Sequence, residues 1–162
     1  MKHVWGMFAM FCILFAAVGI AMAEGEKPVK EWTFLVFLNG DNNLDSYGTK
    51  DMDEMKKIGS TDQVNIVVLR DVASSASTKI YYVQKGSFQM VKDYGSNIDT
   101  GDWNNMVSFF EYAKANYPAT HYVMDIWNHG SGWKRKLNDP AFRGISYDDH
   151  SGNHITTAQL GQ

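Results

Sequence analysis

Tyr122-Val123-Met124-Asp125-Ile126-Trp127-Asn128-His129-Gly130 reads as a mostly apolar strand that stops at a histidine, followed by a glycine that admits unusual backbone angles. In an open α/β sheet, ligands and catalytic groups gather at the carboxyl ends of the strands, so an imidazole delivered there is placed to do chemistry. The only cysteine, Cys12, stands far upstream in an apolar N-terminal segment. A cysteine-based site using His129 would therefore have only part of its machinery in these residues.

Immediately upstream, residues 101–117 form the best helical pattern in the chain. Met106, Phe109, Phe110, Ala113 and Tyr117 share one face, and Pro118 ends it. Further back, residues 32–38 make a continuous apolar strand, the pattern of a sheet covered on both faces. That strand runs into Asn39-Gly40-Asp41-Asn42-Asn43, a turn rich in capping residues. Leu44, Tyr47, Met55 and Ile58 then recur near helical spacing, with Gly59 as the stop and a second buried strand over residues 64–69. Residues 79–83 and 88–91 flank Gln84-Lys85-Gly86-Ser87 and predict a short surface hairpin. The rhythm of strand, helix, strand, helix, strand predicts an α/β sandwich with a mostly parallel central sheet.

Residues 1–23 read as an address. Lys2 and His3 open it, an apolar run follows, and Ala21-Met22-Ala23 fits the small-residue cleavage pattern before Glu24. Export by a Sec-type signal, to a secreted or periplasmic location, is the expectation, with no stable membrane insertion after cleavage; an uncleaved anchor is the alternative. Residues 24–31 then serve as a flexible spacer and residues 32–162 as the N-terminal part of a single domain. Removing the signal leaves no cysteine, so the core must rely on packing without disulfides. With 15 basic against 18 acidic residues and a formal charge of −3, a nucleic-acid surface is excluded.

Ile145-Ser146-Tyr147-Asp148-Asp149 predicts another strand, with a turn at His150-Ser151-Gly152-Asn153. Thr156-Thr157-Ala158-Gln159 has the spacing of a helix capping box. Because a single helical turn is unstable alone, the expectation is that the natural protein continues past Gln162 and that the sheet is incomplete at its C-terminus.

Trp32-Thr33-Phe34-Leu35-Val36-Phe37-Leu38-Asn39-Gly40-Asp41-Asn42-Asn43-Leu44, Val64-Asn65-Ile66-Val67-Val68 and Ile126-Trp127-Asn128-His129-Gly130-Ser131-Gly132-Trp133 together resemble the clostripain family of cysteine endopeptidases. The resemblance implies a caspase-like fold in which a histidine at one strand end works with a cysteine at the next. It implies that His129 manages the proton and that the Gly130 amide helps bind the oxyanion. It also implies a peptide or protein substrate with Arg or Lys at the cleavage site. The nucleophilic cysteine is expected beyond residue 162, in a C-terminal portion or a second chain. Lys134-Arg135-Lys136 would then be a processing loop, or else a solvated basic turn.

Other residues carry weaker signals. Asp41, Asn43 and Asp45 alternate as in a calcium loop, but Ser46 replaces the sharp-turn glycine and Met52 the bidentate glutamate, so a helix cap is the better reading. No cofactor is expected in the chemistry. Calcium enters only by resemblance, with no site assigned, and Asp148 and Asp149 are the pair that would contribute. His121, His150 and His154 match no compact zinc spacing with His129. Asp125 is the awkward carboxylate of a strand expected to be buried, while Trp127, Trp133, Phe109 and Phe110 read as core and pocket wall. Two functions stay open: the histidine-bearing portion of a secreted endopeptidase cutting after Arg or Lys, and a non-catalytic exported domain of the same fold.

Overall fold

The computed structural model describes residues 27–73, 77–130 and 144–161. Its centre is a five-stranded sheet in the order β4-β3-β2-β1-β5. Strand β1 (Lys30–Gly40) lies between β2 (Val64–Val72) and β5 (Ala119–Trp127), parallel to both. Strands β3 (Lys79–Gln84) and β4 (Ser87–Asp93) extend the sheet antiparallel beyond β2. The predicted surface hairpin is thus real, and it widens the main sheet, with β4 as an exposed edge strand. A separate pair, β6 (Gly144–Asp148) and β7 (Asn153–Thr156), sits at the carboxyl end.

Alternation along β1 divides the core. Leu35 and Phe37 join Val67, Leu69, Ile80 and Ile155 beneath Phe109 and Ala113 of helix α2 (Trp103–Asn116). Val36 and Leu38 face the other way, with Val68 and Val83, against Met52 of helix α1 (Asp45–Ile58). Each such side chain contributes about 1.5–3 kcal/mol on burial, which makes β1 the keel of the sheet. Helix α2 begins at Trp103, two residues later than the pattern predicted, after Asp102, whose side chain accepts from the Asn104 amide as the cap.

Three further expectations are corrected. Strand β1 starts at Lys30, inside the stretch read as spacer, because the Lys30 amide donates to the Pro118 carbonyl at 3.0 Å. Helix α1 does not bury Tyr47 or Ile58, which are exposed; it buries Gly48 and Met52. A Cβ at Gly48 would stand 2.7 Å from Leu38 Cδ2 and 2.9 Å from Arg70 Nη1, so glycine lets the helix sit close over a buried guanidinium. Arg70 in turn pairs with Asp45 in the first turn of α1. Finally, β5 is not buried by the described residues. Among the described residues it is the sheet edge, its residues are exposed or half-buried, and Asp125 is exposed.

Candidate active site

Three parallel strands deliver their carboxyl ends to one rim. Strand β1 ends in Asn39 and Gly40 and continues into Asp41, Asn42 and Asn43; β2 ends near Asp71; β5 ends at Asn128, His129 and Gly130. The β6–β7 hairpin closes over this rim, with the Asp149 amide donating to the Asp41 carbonyl at 2.9 Å.

The rim is knitted by asparagines. Asn39 Nδ2 donates to Ser146 Oγ at 3.1 Å while its Oδ1 accepts from the Asp41 amide at 3.1 Å. Asn42 Nδ2 donates to the Tyr147 carbonyl at 3.0 Å, and its Oδ1 accepts from the Leu44 amide at 2.8 Å, turning the chain into α1. Asn128 Nδ2 reaches the Asn39 and Tyr147 carbonyls at 2.8 and 3.0 Å, and its Oδ1 accepts from the Tyr147 amide at 3.1 Å. One side chain thereby ties the end of β5 to both β1 and β6. Ser146 occupies the left-handed region at φ 60° while its hydroxyl donates to the Thr100 carbonyl at 2.8 Å.

His129 stands on this scaffold, exposed at the end of β5, with Nε2 2.7 Å from Asn43 Oδ1. Gly130 follows it opposite Ile145 in an isolated antiparallel bridge. Gly130 does not use the left-handed freedom that glycine admits, since its φ lies outside that region. A Cβ built there would meet none of the described atoms within 4 Å. The described fold therefore does not demand glycine at 130, and no described residue fills the space beside it.

Behind the rim lies a cluster that the sequence reading missed. Carboxylate oxygens of the buried Asp41, Asp71 and Asp148 lie within 4.8 Å of one another. Thr78 and Thr100 hydroxyls donate to Asp71 at 3.1 and 2.8 Å, and the Thr100 and Ser151 amides donate to Asp148, each at 2.8 Å. Asn97 Nδ2 donates to Asp41 at 3.2 Å. Burial above all, with the charges of Asp148 and Asp41 adding to it against the two threonine hydroxyls, pushes the Asp71 carboxyl up to about 6. Burial and then Asp148 likewise raise Asp41. All-oxygen carboxylate groups are hard-cation chemistry, yet every buried side-chain N and O among the described residues already has a hydrogen-bond partner. Asp149, expected beside Asp148, is exposed. The available signal was Asp71 itself, a carboxylate at the end of a buried strand.

The calcium-loop alternation dissolves in space. Asp41 faces the carboxyl cluster, Asn43 faces His129, and Asp45 pairs with Arg70. The other histidines do not join His129: His121 lies in a tilted ring contact with Trp32 near the start of β5, His154 stacks on Tyr147, and His150 is exposed in the hairpin turn. Trp127 donates its indole N–H to Asp51 at 2.7 Å, and Phe109 and Phe110 belong to the core. Trp133 and Lys134-Arg135-Lys136 lie outside the described residues.

A strand-end histidine on a mostly parallel sheet is compatible with many chemistries, and comparison with known proteins narrows them. Residues 36–162 match the model of the clostripain family. The chain belongs to the clostripain family. Against clostripain of Hathewaya histolytica it is 28% identical over 142 residues, covering 72% of this chain and 27% of that protein. It thus spans little more than a quarter of clostripain's length. Among solved structures, a secreted C11 cysteine protease of Bacteroides thetaiotaomicron, in complex with an irreversible peptide inhibitor, superposes with a TM-score of 0.66 at 26% identity. That match covers 81% of this chain and 38% of the other. A cysteine protease of B. fragilis gives a TM-score of 0.56 at 25% identity, covering 68% of this chain and 98% of that one. The clostripain-family sheet described above is accordingly the caspase-like one.

Proposed function

We propose that this chain is the histidine-bearing portion of a secreted clostripain-like endopeptidase that cuts after Arg or Lys, with its nucleophilic cysteine beyond residue 162 or on a second chain. The observation that carries the reading is the exposed placement of His129 at the carboxyl end of β5. An imidazole sealed in the interior could neither meet a thiol nor reach a peptide.

In this reading His129 takes the thiol proton as the sulfur attacks the scissile carbonyl, so that a C–S bond forms and negative charge moves to the carbonyl oxygen. The Gly130 amide helps hold that oxyanion, and no described residue stands where the substrate backbone would approach the glycine. The imidazolium then returns its proton to the leaving amine as the C–N bond breaks, and water releases the acyl group in the reverse sense. These steps use protein groups alone; the calcium expectation rests on the family resemblance. Export rests on residues 1–23, which lie outside the described residues, and is supported by the secreted Bacteroides relative. No helix among the described residues is long and apolar enough to cross a membrane.

The test is amide hydrolysis with arginyl, lysyl and neutral peptide substrates. The complete protease should cleave the two basic substrates and lose that activity to a thiol reagent, while residues 24–162 alone should be inert. Thiol-reagent-sensitive turnover by residues 24–162, or insensitivity of the complete enzyme, would contradict the reading.

A further inference from the structure

Asn43 lies just before helix α1, 86 positions from His129, yet its Oδ1 sits 2.7 Å from His129 Nε2. We infer that Asn43 is a positioning residue that holds the His129 ring through Nε2 and so makes Nδ1 the nitrogen that exchanges a proton with the nucleophile. The inference rests on the catalytic reading of His129 and adds to it which ring nitrogen works and what holds the ring.

The chemistry is that of a one-sided clamp. A carbonyl oxygen can only accept, so the ring must carry its proton on Nε2 to make this bond. In neutral imidazole the lone pair is then on Nδ1, and in imidazolium the Asn43 oxygen still accepts from Nε2. An amide oxygen has no net charge, so it fixes tautomer and rotation with a smaller push on basicity than a carboxylate at the same place would exert.

The bond joins two anchored backbones. On the Asn43 side, Asn42 is held by Tyr147 and itself holds the Leu44 amide, while Asn39 holds the Asp41 amide. On the His129 side, Asn128 is held by the Asn39 and Tyr147 carbonyls and the Tyr147 amide. Both partners are therefore referenced to the same two segments, the end of β1 and strand β6. Because His129 is exposed, this pairing is not needed to satisfy a buried group, and its use is orientation.

The experiment is done in the complete protease, with the pH dependence of kcat and kcat/KM measured for wild type, Asn43→Ala, Asn43→Asp and His129→Ala, alongside histidine-selective 15N NMR. Expected for Asn43→Ala is a fall in kcat of about 10- to 100-fold with KM changed less than about 3-fold, since a misoriented base loses orientation and not substrate binding. Asn43→Asp should restore most of kcat and move the acidic limb of the profile upward by about one unit, because a carboxylate stabilises the imidazolium. The 15N spectrum of wild type should show the proton on Nε2, and Asn43→Ala should lose that bias. Unchanged kcat and limbs in both variants, or a wild-type ring protonated on Nδ1, would overturn the inference. A purely structural Asn43 would alter melting temperature in both variants without moving the limb in Asn43→Asp, which also overturns it. Retained activity in His129→Ala would instead sink the underlying catalytic reading, so the two failures are separable.

Discussion

The two halves of the segment Leu35–Asn42, the apolar end of strand β1 and the turn it runs into, are equally buried and held by opposite physics. From Leu35 to Leu38 every side chain is apolar and at most 7% exposed, packed between α1 and α2. From Asn39 to Asn42 the chain is just as sequestered, but its side chains are polar and satisfied one by one from residues up to 107 positions away. The first half needs only hydrophobic neighbours of about the right volume. The second needs particular donors and acceptors at particular distances, and it is the half that supports His129. Rigidity at the rim therefore comes from a polar network whose members fail singly, whereas the apolar half shares its load.

This contrast can be broken at several points. The largest effect should come from Phe37→Ala, which removes a fully buried ring whose centroid lies 6.2 Å from that of Phe109 and should cost about 3–5 kcal/mol in chemical denaturation. A loss below about 1 kcal/mol would show that the keel is not where the packing places it. Next is Asn39→Ala, which orphans the Asp41 amide and a partner of Ser146. A cost of about 2–3 kcal/mol is expected, and NMR shift changes should appear at Asn128 and Tyr147, on segments remote in sequence. Changes confined to the β1 turn would mean the rim is not a network.

Asp71→Asn sharpens the comparison through pH. The folded Asp71 carboxyl keeps its proton up to about 6, against 3.8 when unfolded, so the native state binds more protons across that window. Its effect is thus absent below about pH 4 and grows into a penalty as pH rises through 6. Replacing it with the neutral amide should raise stability at pH 7.5 by about 1–2 kcal/mol and flatten the profile between pH 4 and 6. Equal destabilisation at pH 5 and 7.5 would show that the threonine hydroxyls demand the charged form. The smallest effect belongs to Asp125→Ser on the exposed strand β5, within about 0.5 kcal/mol of wild type. A larger change there would reveal a partner at that edge.

What could be read from the sequence follows the same division. The apolar runs of β1 and β2, the Phe109–Ala113 face of α2 and the capping box were legible because each is a local pattern. Thr156 and Gln159 do exchange the reciprocal bonds, at 2.8 and 3.3 Å, opening a single 3-10 turn at Gln159–Gly161. The exposed face of α1 was misread because Tyr47 and Ile58 are apolar by type, while the contact it makes uses Gly48 and Met52 over Arg70. Asp125 is awkward only in a covered strand, and among the described residues β5 is an edge. Asp71 with Asp41 and Asp148, and Asn43 with His129, were illegible because their spacing in the chain has no periodic signature. The strand-end position of His129 was legible because an apolar run that stops at a histidine is a local pattern.

The most direct test of the account is kcat/KM for an arginyl amide substrate in the complete protease carrying His129→Ala. A loss of about four orders of magnitude, with folding and export unchanged, is the predicted result. Activity within about 10-fold of wild type would place the proton-handling group elsewhere and contradict the role assigned to the rim.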